Sequence, residues 1–212
     1  MRKIVITGIS GFIGAHLATR LAAEGYSILG IDRVKTATRI KNVRYITGEL
    51  TQVDWRKIAA WKPDAVIHLA GPALVSESFK DMHREVSNSI DVTAFLVEKL
   101  RKMPKARLLY FSSSAVYGDH PQKKYGEKLA CDPVSPYGLC KLATEWMIRM
   151  SSRLIGFDYA IARPFSIYGC NLKKQVVYDL TRRFLKEKKT VLIQSTGKEK
   201  RDFVHINDCC LA

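Results

Sequence analysis

Six short apolar runs recur along the chain, each closed by a glycine, a polar residue or a loop. They are KIVITG (3–8), SILGID (27–32), VRYIT (43–47), AVIHLA (65–70), RLLYFS (107–112) and DYAIAR (158–163). Runs of this length without strict alternation predict strands buried on both faces. Between most of them the apolar positions fall at helical spacing. Phe12, Ile13, Leu17 and Leu21 form such a stripe, so residues 12–24 are expected to be a helix, with others near 52–60, 77–102 and 136–155. Pro63, Pro104, Pro133 and Pro136 sit at the edges of these segments. Strands alternating with helices predict β-α-β units: an α/β, doubly wound parallel sheet covered on both faces.

The 212 residues, 47% hydrophobic, suit one domain with a real core, or one domain and a small lobe. No apolar run is long enough to span a bilayer. Glycines interrupt the basic and apolar start, MRKIVITGISGFIG, which argues against a secretory leader. Five cysteines without metal-type or redox spacing suit reduced thiols, so a cytoplasmic protein without a metal site is expected. The net charge of +15 is compatible with nucleic acid, an anionic membrane or a phosphorylated small molecule. Ten of the 35 Lys and Arg fall between Lys173 and Arg201. There Val177, Leu180 and Phe184 form a helical apolar stripe from which Arg182, Arg183 and Lys186 point away. No nucleic-acid motif accompanies these charges, so neither nucleic acid nor membrane is the expected partner.

Chemistry first enters at TGISGFIG (7–14), between the first strand and the first helix. Gly8 would permit the tight turn, Gly11 a close backbone approach to a pyrophosphate, and Gly14 close packing of the helix on the strand. The helix N-terminus supplies free N–H groups and the positive end of a dipole. Asp32, ending the second strand, can accept both hydroxyls of an adenosine ribose and repels a 2′-phosphate, which favours NAD over NADP. Arg33 beside it is able to meet a phosphate.

A second motif is SPYGLCK (135–141), which places Tyr137 and Lys141 four apart on one helix face. An ammonium beside a phenol favours the phenolate, so the Tyr137 pKa is expected to fall towards neutrality. Upstream, FSSSAVYG (111–118) ends a strand with three hydroxyls, one of which is placed to hold a substrate oxygen. His68 is read as a hydrogen-bonded core residue.

These motifs, with HLAG (68–71), RPFSIYG (163–169) and RDFVHIND (201–208), stand in the order found in the extended short-chain dehydrogenase/reductases. From Ile4 to about Asp208 the chain resembles the NAD-dependent epimerase/dehydratase family, which acts on nucleotide sugars. The resemblance implies a Rossmann-type fold. Residues 1–165 would form the NAD domain with the Tyr/Lys pair, and 166–212 the start of a substrate-binding region, apparently truncated. It implies that Ser113, Tyr137 and Lys141 are catalytic. NAD would be held by Gly8, Gly11, Phe12, Ile13, Gly14, Asp32, Arg33, Glu49, Leu50, Leu69, Ala70, Gly71, Asn88, Ser112 and Pro164, besides Tyr137 and Lys141. Ser114, Ser166 and Arg201 would meet the substrate, a nucleoside-diphosphate sugar, with Arg201 on its diphosphate. A homodimer through the two long helices, 77–102 and 136–155, is also implied.

The chain departs from the family pattern at several positions. Glu49 replaces an aspartate, SIDVT (89–93) replaces N-V-x-G-T, with Asn88 expected to supply the amide, and Ser166 replaces an asparagine. Dehydratases of the family carry an acid where this chain has Ser114 and Ala115. The expected reaction is therefore C4 epimerisation, in nucleotide-sugar metabolism that serves polysaccharide biosynthesis. Tyr137 would take the C4 hydroxyl proton, the sugar would pass through a 4-keto form at the expense of NAD, and reduction on the other face would restore the cofactor. The alternatives are a nucleotide-sugar dehydratase or another oxidoreductase of the superfamily, and a truncated NAD-binding protein with little turnover.

Overall fold

The computed structural model describes residues 2–35, 39–120, 124–172, 174–186, 190–193, 196–197 and 199–212. It divides into two compact units, Met1–Arg163 and Pro164–Ala212. The first unit holds six strands: β1 (Lys3–Thr7), β2 (Ser27–Asp32), β3 (Val43–Thr47), β4 (Ala65–His68), β5 (Arg107–Phe111) and β6 (Tyr159–Ala162). All six apolar runs are strands. They pair in parallel in the order β3-β2-β1-β4-β5-β6. This is the Rossmann order, in which the connections turn to opposite sides at β1 and β4 and leave a crevice at their carboxyl ends.

Both faces of the central strands are buried, as the unbroken apolar runs require, while the edge strands β3 and β6 are partly exposed. Val5, Leu29, Ile31, Val66, Leu108 and Tyr110 on one face join Ile58, Leu96, Leu100 and Ile148 from helices α2 (Trp55–Ala60), α5 (Val92–Leu100) and α6 (Pro136–Ile155) in one core. The alternating Ile4, Ile6, Ile28 and Ile67 are buried on the other face. Helix α1 (Phe12–Ala23) packs against β1 and β2. Helix α2 begins later than its apolar pattern suggests, because the Asp54 side chain accepts from the Arg56 N–H and caps it there.

The expected helix over 77–102 is not continuous. Helix α3 (Val75–Ser78) stops, and α4 (Met82–Val86) starts afresh at Asp81, whose carboxylate accepts from the Arg84 N–H. A π turn over Ser87–Asp91 then leads into α5. Helix α6 instead matches its predicted span. Ser135 is its N-cap, accepting from the Gly138 N–H, and Pro136 occupies the first turn, where a missing N–H costs nothing.

The second unit contains β7 (Ser166–Tyr168) paired in parallel with β8 (Phe203–His205), and helices α7 (Gln175–Lys186) and α8 (Ile206–Cys209). The Tyr168 ring meets those of Phe203 and His205. On α7 the stripe residues Val177 and Phe184 are exposed. Of the basic run, Lys173, Lys188, Lys189 and Lys198 lie outside the described residues.

Candidate active site

The turn after β1 closes on the end of β4. Gly8 has φ +73°, and a Cβ there would lie 2.7 Å from the Ala70 nitrogen. A Cβ on Gly14 would lie 2.3 Å from the Gly8 carbonyl oxygen, so only glycine lets α1 start this close to the turn. A Cβ on Gly11 would meet only the Gly8 oxygen, at 3.1 Å, and otherwise open space. Gly11 is also the N-cap of α1 and supplies no side chain to it. The first N–H groups of the helix, at Phe12 and Ile13, therefore keep their capacity for an anion.

Asp32 stands beside this turn. Its Oδ2 accepts from the Ser10 N–H at 2.9 Å and its Oδ1 from the Val34 N–H at 3.0 Å. Two backbone donors fix the carboxylate and leave lone pairs on both oxygens for hydroxyl donors. Asp32 lines a cleft with Ser10, Lys35, Arg39 and Tyr45. Arg33 is exposed and not part of that lining. Lys35 and Arg39 are the cations there, a role that spacing from the glycine turn does not reveal. Glu49 is exposed and Leu50 buried after β3, while Leu69, Ala70 and Gly71 follow β4.

At the end of β5, the Ser113 side chain accepts from the Ala115 N–H and opens a single 3-10 turn over Ser114–Val116. That turn touches the start of α6 closely enough that a Cβ on Gly138 would lie 2.5 Å from the Ala115 carbonyl oxygen. The glycine of SPYGLCK thus brings Ser113 to Tyr137. Both members of the Tyr/Lys pair are buried, at 9% and 7% exposure. The Tyr137 N–H donates to the hydroxyl of Ser78 on α3, at 3.1 Å. Lys141 Nζ donates to the Phe111 carbonyl at 2.9 Å and lies 5.8 Å from the Tyr137 ring centre.

Burial pushes the Tyr137 phenol above its ordinary pKa. A hydrogen bond with Ser113 offsets part of this, and the charge of Glu85 adds to it. The expected fall towards neutrality is therefore reversed in the chain by itself, because desolvation of a phenolate outweighs an ammonium that faces the ring and bonds elsewhere. Lys141 is pushed down to about 8, also by burial, with Glu85 opposing. Ser112, 4% exposed, carries a hydroxyl with no hydrogen-bond partner among the described residues. A buried orphan hydroxyl beside Ser113 is what a site completed by a polar ligand leaves behind.

The structure also shows a buried polar chain that neither motif discloses. The Ala70 N–H reaches Thr7 Oγ1 (3.3 Å), Thr7 Oγ1 meets His68 Nδ1 (2.6 Å), His68 Nε2 meets Thr93 Oγ1 (3.0 Å), and Thr93 Oγ1 donates to the Ser89 carbonyl (2.7 Å). Thr93 has one hydroxyl proton and gives it to Ser89, so towards His68 it accepts. His68 is then the Nε2–H tautomer, and its Nδ1 accepts the hydrogen bond that the Thr7 hydroxyl donates. Burial pushes the His68 pKa down to about 3, which keeps the ring neutral. His68 is thus the hydrogen-bonded core residue that its place at a strand end suggests. Asn88 directs its amide nitrogen to the Arg84 carbonyl at 2.8 Å, within its own helical segment.

In the second unit Ser166 begins β7, its N–H donating to the Asp202 carbonyl. Arg201 is exposed two residues before β8, and Pro164 opens the unit.

The strand order, the glycine turn and the Tyr/Lys helix together describe a Rossmann-type dinucleotide protein. The chain matches the NAD dependent epimerase/dehydratase family over residues 4–212 and belongs to it. It is 28% identical, over 98% of its length and 70% of the relative's, to a Bacillus subtilis protein named an uncharacterized UDP-glucose epimerase. It superposes at a TM-score of 0.88, with 30% identity, on UDP-glucuronic acid 4-epimerase from Bacillus cereus in complex with UDP-glucuronic acid and NAD, covering 98% of this chain and 70% of that one. The TM-score is 0.89, with 26% identity, for a UDP-N-acetylglucosamine 4-epimerase from Methanobrevibacter ruminantium M1, covering 99% and 71%.

Proposed function

We propose that the chain binds NAD and epimerises a nucleoside-diphosphate sugar at C4. The observation that carries this reading is the buried pair Tyr137 and Lys141, with the half-buried Ser113 beside it, on one end of a sheet whose first turn is a glycine cradle. Family membership and the named activities of the relatives support it. The residues fit NAD. The Gly8–Gly14 turn and the start of α1 would hold the pyrophosphate, Asp32 the adenosine ribose, and the orphan Ser112 hydroxyl would gain a partner. Bound NAD supplies a reversible two-electron acceptor for the sugar carbon.

Within the chain, Tyr137 takes the proton from the C4 hydroxyl and returns it after the sugar has turned. Ser113 holds that oxygen and Lys141 keeps positive charge beside the phenol. Residues 166–212, with Ser166 and Arg201, start the substrate-binding region, where Arg201 grips the diphosphate. The turn Ser114–Val116 contains no carboxylate, which favours epimerisation over dehydration.

A homodimer is part of the same proposal. The exposed face of α6 carries Leu139, Trp146, Met150 and Leu154. We also place the protein in the cytoplasm, in nucleotide-sugar metabolism that serves polysaccharide biosynthesis. Its five cysteines are unbridged, and no helix among the described residues is long and apolar enough to cross a membrane.

The test is incubation of the chain and NAD with UDP-glucose, UDP-glucuronic acid and UDP-N-acetylglucosamine, each followed by proton NMR. Appearance of the C4 epimer without net NADH is the expected result. Loss of water to a 4-keto-6-deoxy product, or stoichiometric NADH, would replace this reading by one of its relatives.

A further inference from the structure

Glu85 is a carboxylate placed where the fold excludes water. It is 3% exposed on α4, and its hydrogen bond among the described residues comes from the Ser89 hydroxyl, 3.3 Å from Oε1. Burial pushes its pKa up, and the Ser89 hydrogen bond and the charge of Lys141 oppose that rise, so its negative charge depends on the cation nearby. Its neighbours on α4, His83 and Arg84, are exposed, as is Glu77 on α3. Helix α4 and the π turn both pack on α6, whose buried residues at this end are Tyr137, Cys140 and Lys141. Lys141 is the cation among them.

Seen from Lys141 the pairing is equally selective. Among the described residues its ammonium is in no ion pair, and its hydrogen bond goes to a neutral carbonyl. The buried acid of α6 itself, Glu145, is already committed. It takes two bonds from Arg163, at 2.8 and 2.6 Å, and one from Arg149 at 3.1 Å. Of the other titratable groups near Lys141, Tyr110, whose ring centre is 5.0 Å from the ammonium, and Cys140 are both pushed up by burial and so held neutral, and His68 is held neutral in its hydrogen-bonded chain. Glu85 is thus the uncommitted negative charge available to Lys141. The same chain ends on the Ser89 carbonyl, so the π turn that aims the Ser89 hydroxyl at Glu85 is anchored to β1 and β4.

We propose that Glu85 is a positioning residue, the buried counter-charge that keeps the Lys141 ammonium in place beside Tyr137. This rests on the reading of Tyr137 and Lys141 as the base and its partner. The signs follow from the charges. Glu85 raises the Lys141 pKa against burial and raises that of Tyr137. Neutralising Glu85 lets Lys141 lose its proton at lower pH and lets Tyr137 ionise at lower pH, so both limbs of the pH–rate profile move down together.

The experiment is carbon NMR titration of the lysine side chains in the whole chain without substrate, with Lys141 assigned by Lys141→Met. Wild type should titrate near the value of about 8. Glu85→Gln should titrate about one unit lower, and Glu85→Asp, which keeps the charge, should lie closer to wild type. A reciprocal measurement guards against a misfolded Glu85→Gln: in Lys141→Met the Glu85 carboxyl should titrate higher than in wild type. An unmoved Lys141 in folded Glu85→Gln, or an unmoved Glu85 in Lys141→Met, overturns the pairing. If both move while Tyr137→Phe retains full epimerisation, the pairing stands and the assignment of the base fails.

Discussion

Tyr137 shows how far a single side chain is set by its surroundings. Its phenol is buried and raised, so the proposed role as a base depends on the charge held beside it. Tyr137→Phe keeps the packing and removes the acid–base group, and should lower kcat about 10²- to 10⁴-fold while NAD binding, followed by fluorescence quenching, is kept. His68 makes a different prediction, for stability. Its folded pKa of about 3 lies below the unfolded value of 6.5, so between these values the unfolded chain binds the extra proton. Stability is therefore lost as pH falls through 6.5 and towards 3. Between about pH 7 and about pH 5 the His68 contribution is roughly 2 kcal/mol. Urea denaturation should show that slope in wild type and a flatter one in His68→Gln, which does not titrate. The residues that spacing discloses are those whose partners are near in sequence: the three glycines, and Tyr137 with Lys141. Glu85, Ser78, Lys35 and Arg39 escape it. Ser78 reaches Tyr137 across 59 residues, and Lys35 and Arg39 join Asp32 in the lining of one cleft, which no motif spacing encodes.

Among elements, the strands and α6 follow their patterns because burial on two faces and a Ser-Pro start are local signals. The broken segment from Val75 to Leu100 does not. Its apolar positions continue at helical spacing, whereas its interruptions come from Asp81 capping a new helix and from Thr93 and Glu85 drawing the π turn into the polar chain. The contact between α6 and the 3-10 turn is equally invisible in the pattern, yet it has the sharpest steric requirement. A methyl group on Gly138 would push against the Ala115 carbonyl, which is backbone and cannot swing aside. Gly138→Ala should therefore lower stability by about 1–3 kcal/mol. It should also lower kcat more than it raises KM for the sugar nucleotide, because it separates Ser113 from Tyr137. Thermal unfolding and steady-state kinetics on the same variant check both halves; unchanged kcat in a destabilised variant would mean that the contact serves folding alone.

The whole molecule is strongly basic, with a net charge of +15, and against that charge the exposed apolar side of α6 stands out. Helix α6 turns its Tyr137, Lys141, Thr144 and Ile148 side inward. On the opposite side Leu139, Trp146, Met150 and Leu154 fall within one stripe, all more than half exposed. Contiguous apolar side chains of this size on an exposed face are what an interface covers. A second copy is the occupant the proposed function calls for, since a two-fold axis beside α6 would set stripe against stripe. A stable pair of this kind buries about 800 Å² on each partner, and the central Trp146 and Met150 would lie within it. Sedimentation should therefore show a dimer for wild type and a monomer for Trp146→Glu. Because the apolar stripe and the Tyr137 and Lys141 side share one helix, the monomer should also lose thermal stability near the Tyr137 site. A monomeric wild type, or a Trp146→Glu dimer, would leave the stripe without this role and remove the homodimer from the proposal.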